Sequence, residues 1–295
     1  MITEAGWFDA ITNPQPFTDW LKWTVDNLSF NGSLAKEVFN VLGYDPATQS
    51  QLSGVWGVVQ TLSTSVVKPV ALTVLSLIAL FELINISAAG QTDPNLGGAK
   101  PVILLFFKYI VVFYALDHVT DFAKAFFALA GDIMSNLKSN STLNGYSTQN
   151  SPFADVTKHL PTGWGALFPA LMLSIPALAT MAVTAMILAQ AWGRFIEIYM
   201  LVACGSLPIV FFCNSKTRAW GESYVRTLGS AVFKSVTLYM GIKMYLAIQG
   251  SLIGKIDSFN QLYDGAHLPK LICSIILLFS ITSAGNKVAD AIFGK

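Results

Sequence analysis

The chain has 295 residues, 53% of them hydrophobic and 12% charged, with a formal net charge of +1. That is about half the charge of an average soluble domain, so the length leaves room for several membrane spans but not for a large soluble domain beside them. The near-zero balance excludes a global nucleic-acid or acidic-partner surface, and any such contact has to be local or made through other subunits.

Residues 1–65 contain no run long enough to span a bilayer, which takes about 20 apolar residues. The first lysine is Lys22, so there is no basic n-region, and no apolar h-region follows. A cleaved signal peptide is therefore not expected, and the first span serves as an uncleaved anchor. Thr18 is placed to cap a short helix with Phe17, Trp20, Leu21, Val25 and Leu28 on one rough face. Ser33 caps a second, with Leu34, Val38, Val41 and Leu42 at helical spacing and Gly43 as a stop. Trp7, Trp20, Trp23 and Trp56 suit the membrane–water interface. The segment reads as amphipathic helices lying on the bilayer, or else as a packing layer on the bundle.

Residues 66–134 hold two spans. The first runs from Val66 to about Ala89 and is closed by Gly90 and the turn Asp93-Pro94-Asn95. The second begins at Pro101, is apolar to Leu116 and then becomes amphipathic. Asp117, Asp121, Lys124 and Asp132 fall on one stripe, with Phe122, Phe126, Leu129 and Ile133 opposite. Continued to Leu137 as one helix it would be about 55 Å long, so its end should project from the membrane. Residues 135–165 form a polar extracytoplasmic loop, rich in Ser, Asn, Thr, Gly and Pro.

Residues 166–295 form a C-terminal membrane bundle. Between Gly165 and Phe212 the only charges are Arg194 and Glu197. The expected arrangement is a span from about Ala166 to Gln190, a break at the Arg194/Glu197 pair, and a re-entrant or bent piece ending near Phe212. Spans at Leu228–Ile253 and Leu268 to about Ala284 follow. The basic cluster Lys216, Arg218 and Arg226, with Lys287 and Lys295, belongs on the cytoplasmic side, and the acidic N-tail outside. This needs an odd number of crossings. The fold class is thus an all-α polytopic bundle with about five crossings, six being the alternative by length.

Polar residues inside spans are the candidate functional positions. Lys68 and Glu82 share a helix face about 21 Å apart, each able to snorkel to its own interface; Glu82 alternatively faces a subunit contact or a lumen. Lys108 and Lys243 are central to their spans, so each is either paired inside the bundle or lines a wet passage. Lys234 is nearer an end and can snorkel. Arg194 and Glu197, at i,i+3, are placed for a structural ion pair, and Gly205 with Pro208 breaks the helix that follows. Ala185/Ala189/Gly193 and Gly250/Gly254 read as close-packing stripes. Cys204, Cys213 and Cys273 lack CxxC spacing and read as buried inert thiols. His118, His159 and His267 are scattered, and no Walker, GxSxG or HExxH motif occurs, so no catalytic, metal or cofactor site is expected.

Arg194-Phe195-Ile196-Glu197-Ile198-Tyr199, then Leu207-Pro208-Ile209 and Trp220-Gly221-Glu222-Ser223-Tyr224-Val225-Arg226, resemble the TrbL-like family of polytopic inner-membrane subunits of type IV secretion and conjugation machines. Leu62-Ser63-Thr64-Ser65-Val66-Val67-Lys68-Pro69-Val70-Ala71 and Phe81-Glu82-Leu83-Ile84 look like the short versions in Gram-positive conjugative elements. The resemblance implies a non-enzymatic homo-oligomer in the cell membrane, working beside secretion ATPases and a bitopic assembly subunit. It further implies transient contact with a transferred single strand or relaxase. Two rivals stand beside it. A secondary transporter would need matching helix breaks in two halves, where only Gly205–Pro208 is visible; a structural scaffold would not need Lys108 and Lys243 at mid-depth.

Overall fold

Hydrocarbon offers no partner for backbone N–H and C=O groups, so a spanning chain satisfies them within its own helices. In the computed structural model, which describes residues 15–92, 99–140, 153, 163–254, 256 and 267–294, every regular element is helical. The helices are α1 (Gln15–Leu28), α2 (Ser33–Leu42), α3 (Ser53–Thr61), α4 (Lys68–Thr92) and α5 (Ala99–Asp117). They continue as α6 (Val119–Ser139), α7 (Leu167–Cys204), the five-residue α8 (Ser206–Val210), α9 (Arg218–Ile253) and α10 (Leu268–Ile292). Four stretches are long and apolar enough to cross a membrane: Ser53–Ala88, Leu167–Cys204, Arg218–Ile253 and Leu268–Ile292. The α5–α6 pair makes a fifth if counted as one span. No sixth is present among the described residues. The turn at 93–95, most of the polar loop, Trp7 and Lys295 lie outside them.

Three of these helices differ from expectation. The first span starts earlier, because a π-helical segment, Leu62–Val67, joins α3 to α4. Pro69 has no N–H and its ring crowds the carbonyl four residues back. The ladder widens there, the Lys68 N–H reaching Ser63 O, and the helix passes on unbroken. The second span is not one long rod: α5 and α6 meet at 65° about His118. The His118 N–H turns to Ala115 O at 3.2 Å, its ring stacks on Tyr114 at 4.2 Å, and Nδ1 lies 3.0 Å from Tyr114 O. The third difference is at Arg194 and Glu197, where α7 has no break and runs on to Cys204. Those charges find partners on neighbouring helices and do not need a helix end.

The chain packs as two units, each discontinuous in sequence. The first comprises Met1–Gly43, Ile133–Trp192 and Ser235–Val288. The N-terminal helices belong to its core: Leu21, Val25 and Leu28 of α1 are buried against Phe153, Ala166, Ala170, Leu173, Ile253, Ile256 and Leu271. Their apolar face is therefore covered by protein, not by a bilayer surface. Gln249 of α9 donates to the Leu28 carbonyl at 3.1 Å, satisfying an orphan acceptor at the α1 terminus. Burial pushes the Asp26 carboxyl up from its usual range, against the pull of Lys22 and Lys36. Between α9 and α10, Gly241 lets the helices approach, since a Cβ there would lie 2.7 Å from Ile281. Thr237 donates across to Gly285 O at 3.0 Å. The expected small-residue stripes do not do this work: Ala185, Ala189 and Gly193 are exposed, and a Cβ on Gly193 or Gly250 would touch nothing.

The second unit comprises Tyr44–Asp132, Gly193–Lys234 and Ala289–Lys295. Its core joins Ala71 and Leu75 of α4, Val112 and Leu116 of α5, and Ile209, Val210 and Cys213 from and after α8. Trp56, expected at an interface, is buried edge-on to Phe127 at 5.8 Å. On α6 the packed residues are Val119, Ala123 and Phe127, while Phe122 and Leu129 are exposed. The charged stripe of Asp117, Asp121, Lys124 and Asp132 is exposed as its spacing requires. Of the cysteines only Cys213 is buried.

One strained residue closes the α1–α2 corner. Phe30 has φ 55°, a left-handed value normally left to glycine. Its N–H bonds to Asn27 O and the next N–H reaches Asp26 O, which ends α1 in a Schellman turn. The ring is 2% exposed and meets Phe39 and Tyr245 edge-on. The left-handed conformation costs about 1–2 kcal/mol, and burying a phenyl ring outweighs it. Phe30→Ala should therefore lower the unfolding midpoint in detergent more than Phe30→Gly, by about 1 kcal/mol. An alanine variant equal to or more stable than the glycine variant would contradict this.

Candidate functional site

Three polar centres lie within the apolar helices. The first is in the second unit, where α7, α9 and the end of α10 meet. Arg194 is 5% exposed and its Nη1 donates to the Lys234 carbonyl at 2.6 Å. Lys234 Nζ lies 3.5 Å from Glu197 Oε1 and 3.8 Å from Asp290 Oδ1, and Ser230 donates to that same Asp290 oxygen at 2.5 Å. Two cations and two anions thus balance across three helices. Sequence reasoning found Arg194 and Glu197 but missed Lys234, read as snorkelling, and Asp290. α10 runs well past Ala284, and this extension carries the aspartate into reach.

Just beyond, α7 ends for a reason written in two residues. Pro208 cannot tolerate a helical carbonyl four residues back, at Cys204. The Gly205 N–H turns to Val202 O at 3.1 Å, and the Leu201 carbonyl is taken by the Tyr224 hydroxyl at 3.0 Å. Gly205 has an ordinary helical φ of −60°. What it supplies is space, since a Cβ would sit 2.4 Å from Tyr224 Oη and 2.9 Å from Val119. The turn seats α8 against α4 and α5.

The second centre is a groove of about 670 Å³ between α4 and α5, lined by Glu82, Pro101, Leu104, Lys108, Val111 and Phe212 among others. Glu82 and Lys108 therefore share one cavity. Among the described residues neither has a side-chain hydrogen bond or ion pair. Lys68, by contrast, is paired with Asp117 at the α5 end and does not simply snorkel.

Lys243 forms the third centre, in the first unit. It is 8% exposed, with Nζ 5.5 Å from the Phe39 ring and 5.7 Å from that of Tyr239. Both distances are within cation–π range. No carboxylate partner for it occurs among the described residues. Phe39, from an N-terminal helix, could not have been assigned to Lys243 by spacing. No group of His, Cys, Asp or Glu able to hold a metal occurs among the described residues.

These features define a multi-pass α-helical membrane protein that holds charged groups within its apolar helices. A family model described as TrbL/VirB6 plasmid conjugal transfer like protein matches residues 33–206, more than half of the chain. The chain belongs to that family, and so is a membrane subunit of the type IV secretion and conjugation class that interacts with other components of such a machine. The match covers Glu82, Lys108, Arg194, Glu197 and Gly205 and ends before α9. No curated protein and no solved structure matches.

The network makes an energetic statement. Lys234→Met strands Glu197 and Asp290, whose side chains are partly exposed at 37% and 35%. The loss should be about 1–3 kcal/mol, below the 3–5 of a fully buried pair. Adding Asp290→Asn should recover part of it. Thermal unfolding in detergent, with membrane protein level alongside, reads both; a double variant no better than the single would remove Asp290 from the network.

Proposed function

We propose that this chain is a channel or scaffold subunit of a conjugative type IV secretion machine in the cytoplasmic membrane, non-enzymatic and homo-oligomeric. Secretion ATPases and a bitopic assembly subunit of the same machine supply the energy and the framework, and a transferred single strand or relaxase is the passing substrate. The observation that carries this is the family match over α2–α7, the stretch that holds Glu82, Lys108, Arg194 and Glu197. The abundance of long apolar helices against few charges supports a membrane role over a catalytic one. Deleting the gene in its host and complementing it in trans tests the reading: conjugative transfer should be lost and restored, and transfer unaffected by deletion would end it.

In this reading the N-tail and the polar loop are extracytoplasmic, while Lys216–Arg226 and the C-terminus are cytoplasmic. Five crossings satisfy that arrangement. With Cys204, Cys213 and Cys273 replaced, a cysteine introduced beyond Lys295 should resist an impermeant thiol reagent in intact cells, and one at Asn144 should react. Labelling at the C-terminus would overturn the five-crossing topology.

Either Lys108 or Lys243 faces the working interior. Lys108→Gln and Lys243→Gln should both reach wild-type level in the membrane, while transfer falls at least about tenfold in at least one of them, the loss expected for one charge-assisted contact. Wild-type transfer by both would remove them from the functional site.

A further inference from the structure

Arg194, Glu197, Lys234 and Asp290 compensate one another within the chain, as do Lys68 and Asp117. Among the described residues Glu82 and Lys108 make no such ion pair, although they line one groove. An ionised side chain exposed to hydrocarbon costs roughly 2.5–3.5 kcal/mol on insertion scales. A groove holding one anion and one cation, with no ion pair for either among the described residues, therefore suits an occupant that brings both opposite charges. Its remaining wall is apolar: Ile86, Leu104, Phe107, Val111, Val112 and Phe212.

We propose that the groove is a binding site for an amino-phospholipid of the phosphatidylethanolamine class. Its phosphate meets the Lys108 ammonium, its own ammonium donates to the Glu82 carboxylate, and acyl chain lies along the apolar wall. Three observations favour lipid over a helix from another subunit. The two charges match a headgroup that carries a phosphate and an ammonium a few bonds apart. Leu104, Phe107 and Val111, which line the groove, are exposed and continue into the unburied outer face of α5, so the groove opens where acyl chains would lie. It also begins at Pro101, in the first turn of α5, and reaches Lys108 about 10 Å further in. A lysine stem extends toward the helix end to meet a headgroup at that depth. A primary ammonium has N–H donors for Glu82; a choline headgroup has none, and a glycerol headgroup has no cation at all.

The proposal rests on the membrane reading of α4 and α5, but its test needs no secretion machine. The full-length protein is reconstituted into nanodiscs of equimolar palmitoyl-oleoyl phosphatidylethanolamine, phosphatidylcholine and phosphatidylglycerol. Retained lipid is then read by native mass spectrometry. Wild type should keep phosphatidylethanolamine above phosphatidylcholine, with phosphatidylglycerol last, and Lys108→Gln or Glu82→Gln should each reduce that enrichment about tenfold. Should a variant fail to fold, stepwise N-methylation of the ethanolamine headgroup offered to wild type gives the same reading, with retention falling at each methyl. Equal retention of the three lipids, or an enrichment unchanged in both variants, would overturn the proposal. So would a disulfide formed in native membranes between copies carrying cysteine at Ile86 or Leu104, since protein would then fill the groove. A chain that fails to support transfer yet shows the enrichment loses its assigned function and keeps its lipid site.

Discussion

A charge that enters hydrocarbon has to bring its counter-charge with it, and in this chain that constraint joins α7, α9 and the end of α10. Arg194 is the deepest member, and its guanidinium ends on the backbone of α9 at Lys234 O. Lys234 in turn faces carboxylates from two other helices. The carboxylates are partly exposed, so burial decreases from the arginine outward. Remove the arrangement and each helix is left with an ionised group that has no low-cost position in a bilayer. An intact α7 through Arg194 and an α10 prolonged to Ile292 both follow from it.

Backbone chemistry sets the second constraint, and two prolines show how much depends on surroundings. Pro69 and Pro208 each remove one N–H and crowd the carbonyl four residues back. At Pro69 the helix absorbs this as a π-helical segment, with the Lys68 N–H on Ser63 O, and continues. At Pro208 the freed Leu201 carbonyl is taken by Tyr224, Gly205 leaves room for that hydroxyl, and the chain turns into α8. α8 then fills the space between α4 and α5 over part of their length, and the unfilled part is the Glu82–Lys108 groove.

Whether a membrane-depth charge finds its partner inside the same chain separates structure from recognition. The Arg194 network and the Lys68–Asp117 pair are satisfied internally and act as architecture. Lys243 is covered by Phe39 and Tyr239, so an N-terminal helix shields it. Glu82 and Lys108 line a groove and, among the described residues, make no ion pair; in the proposed lipid site they are turned toward an occupant from outside the chain. For a subunit of a multi-component machine, such groups are where lipid or neighbouring chains would be felt first.

Much of the fold was legible in the residues alone, because span length and apolarity are properties of a continuous stretch. The five apolar segments, the amphipathic character of α1, α2 and α6, and the ending of α7 near Gly205 and Pro208 are all local. Pairing is not local. Spacing along a helix suggested Arg194 with Glu197, yet it could not bring in Lys234 or Asp290, which lie on other helices. Spacing also marked Ala185, Ala189 and Gly193 as a packing stripe, whereas the close approach is made at Gly241. The amphipathic N-tail has a face that fits a bilayer surface as well as a protein core; only Leu173, Ile253 and Leu271 converging on it decided for the core. A one-dimensional pattern states which surfaces must leave water, and the three-dimensional packing chooses what covers them.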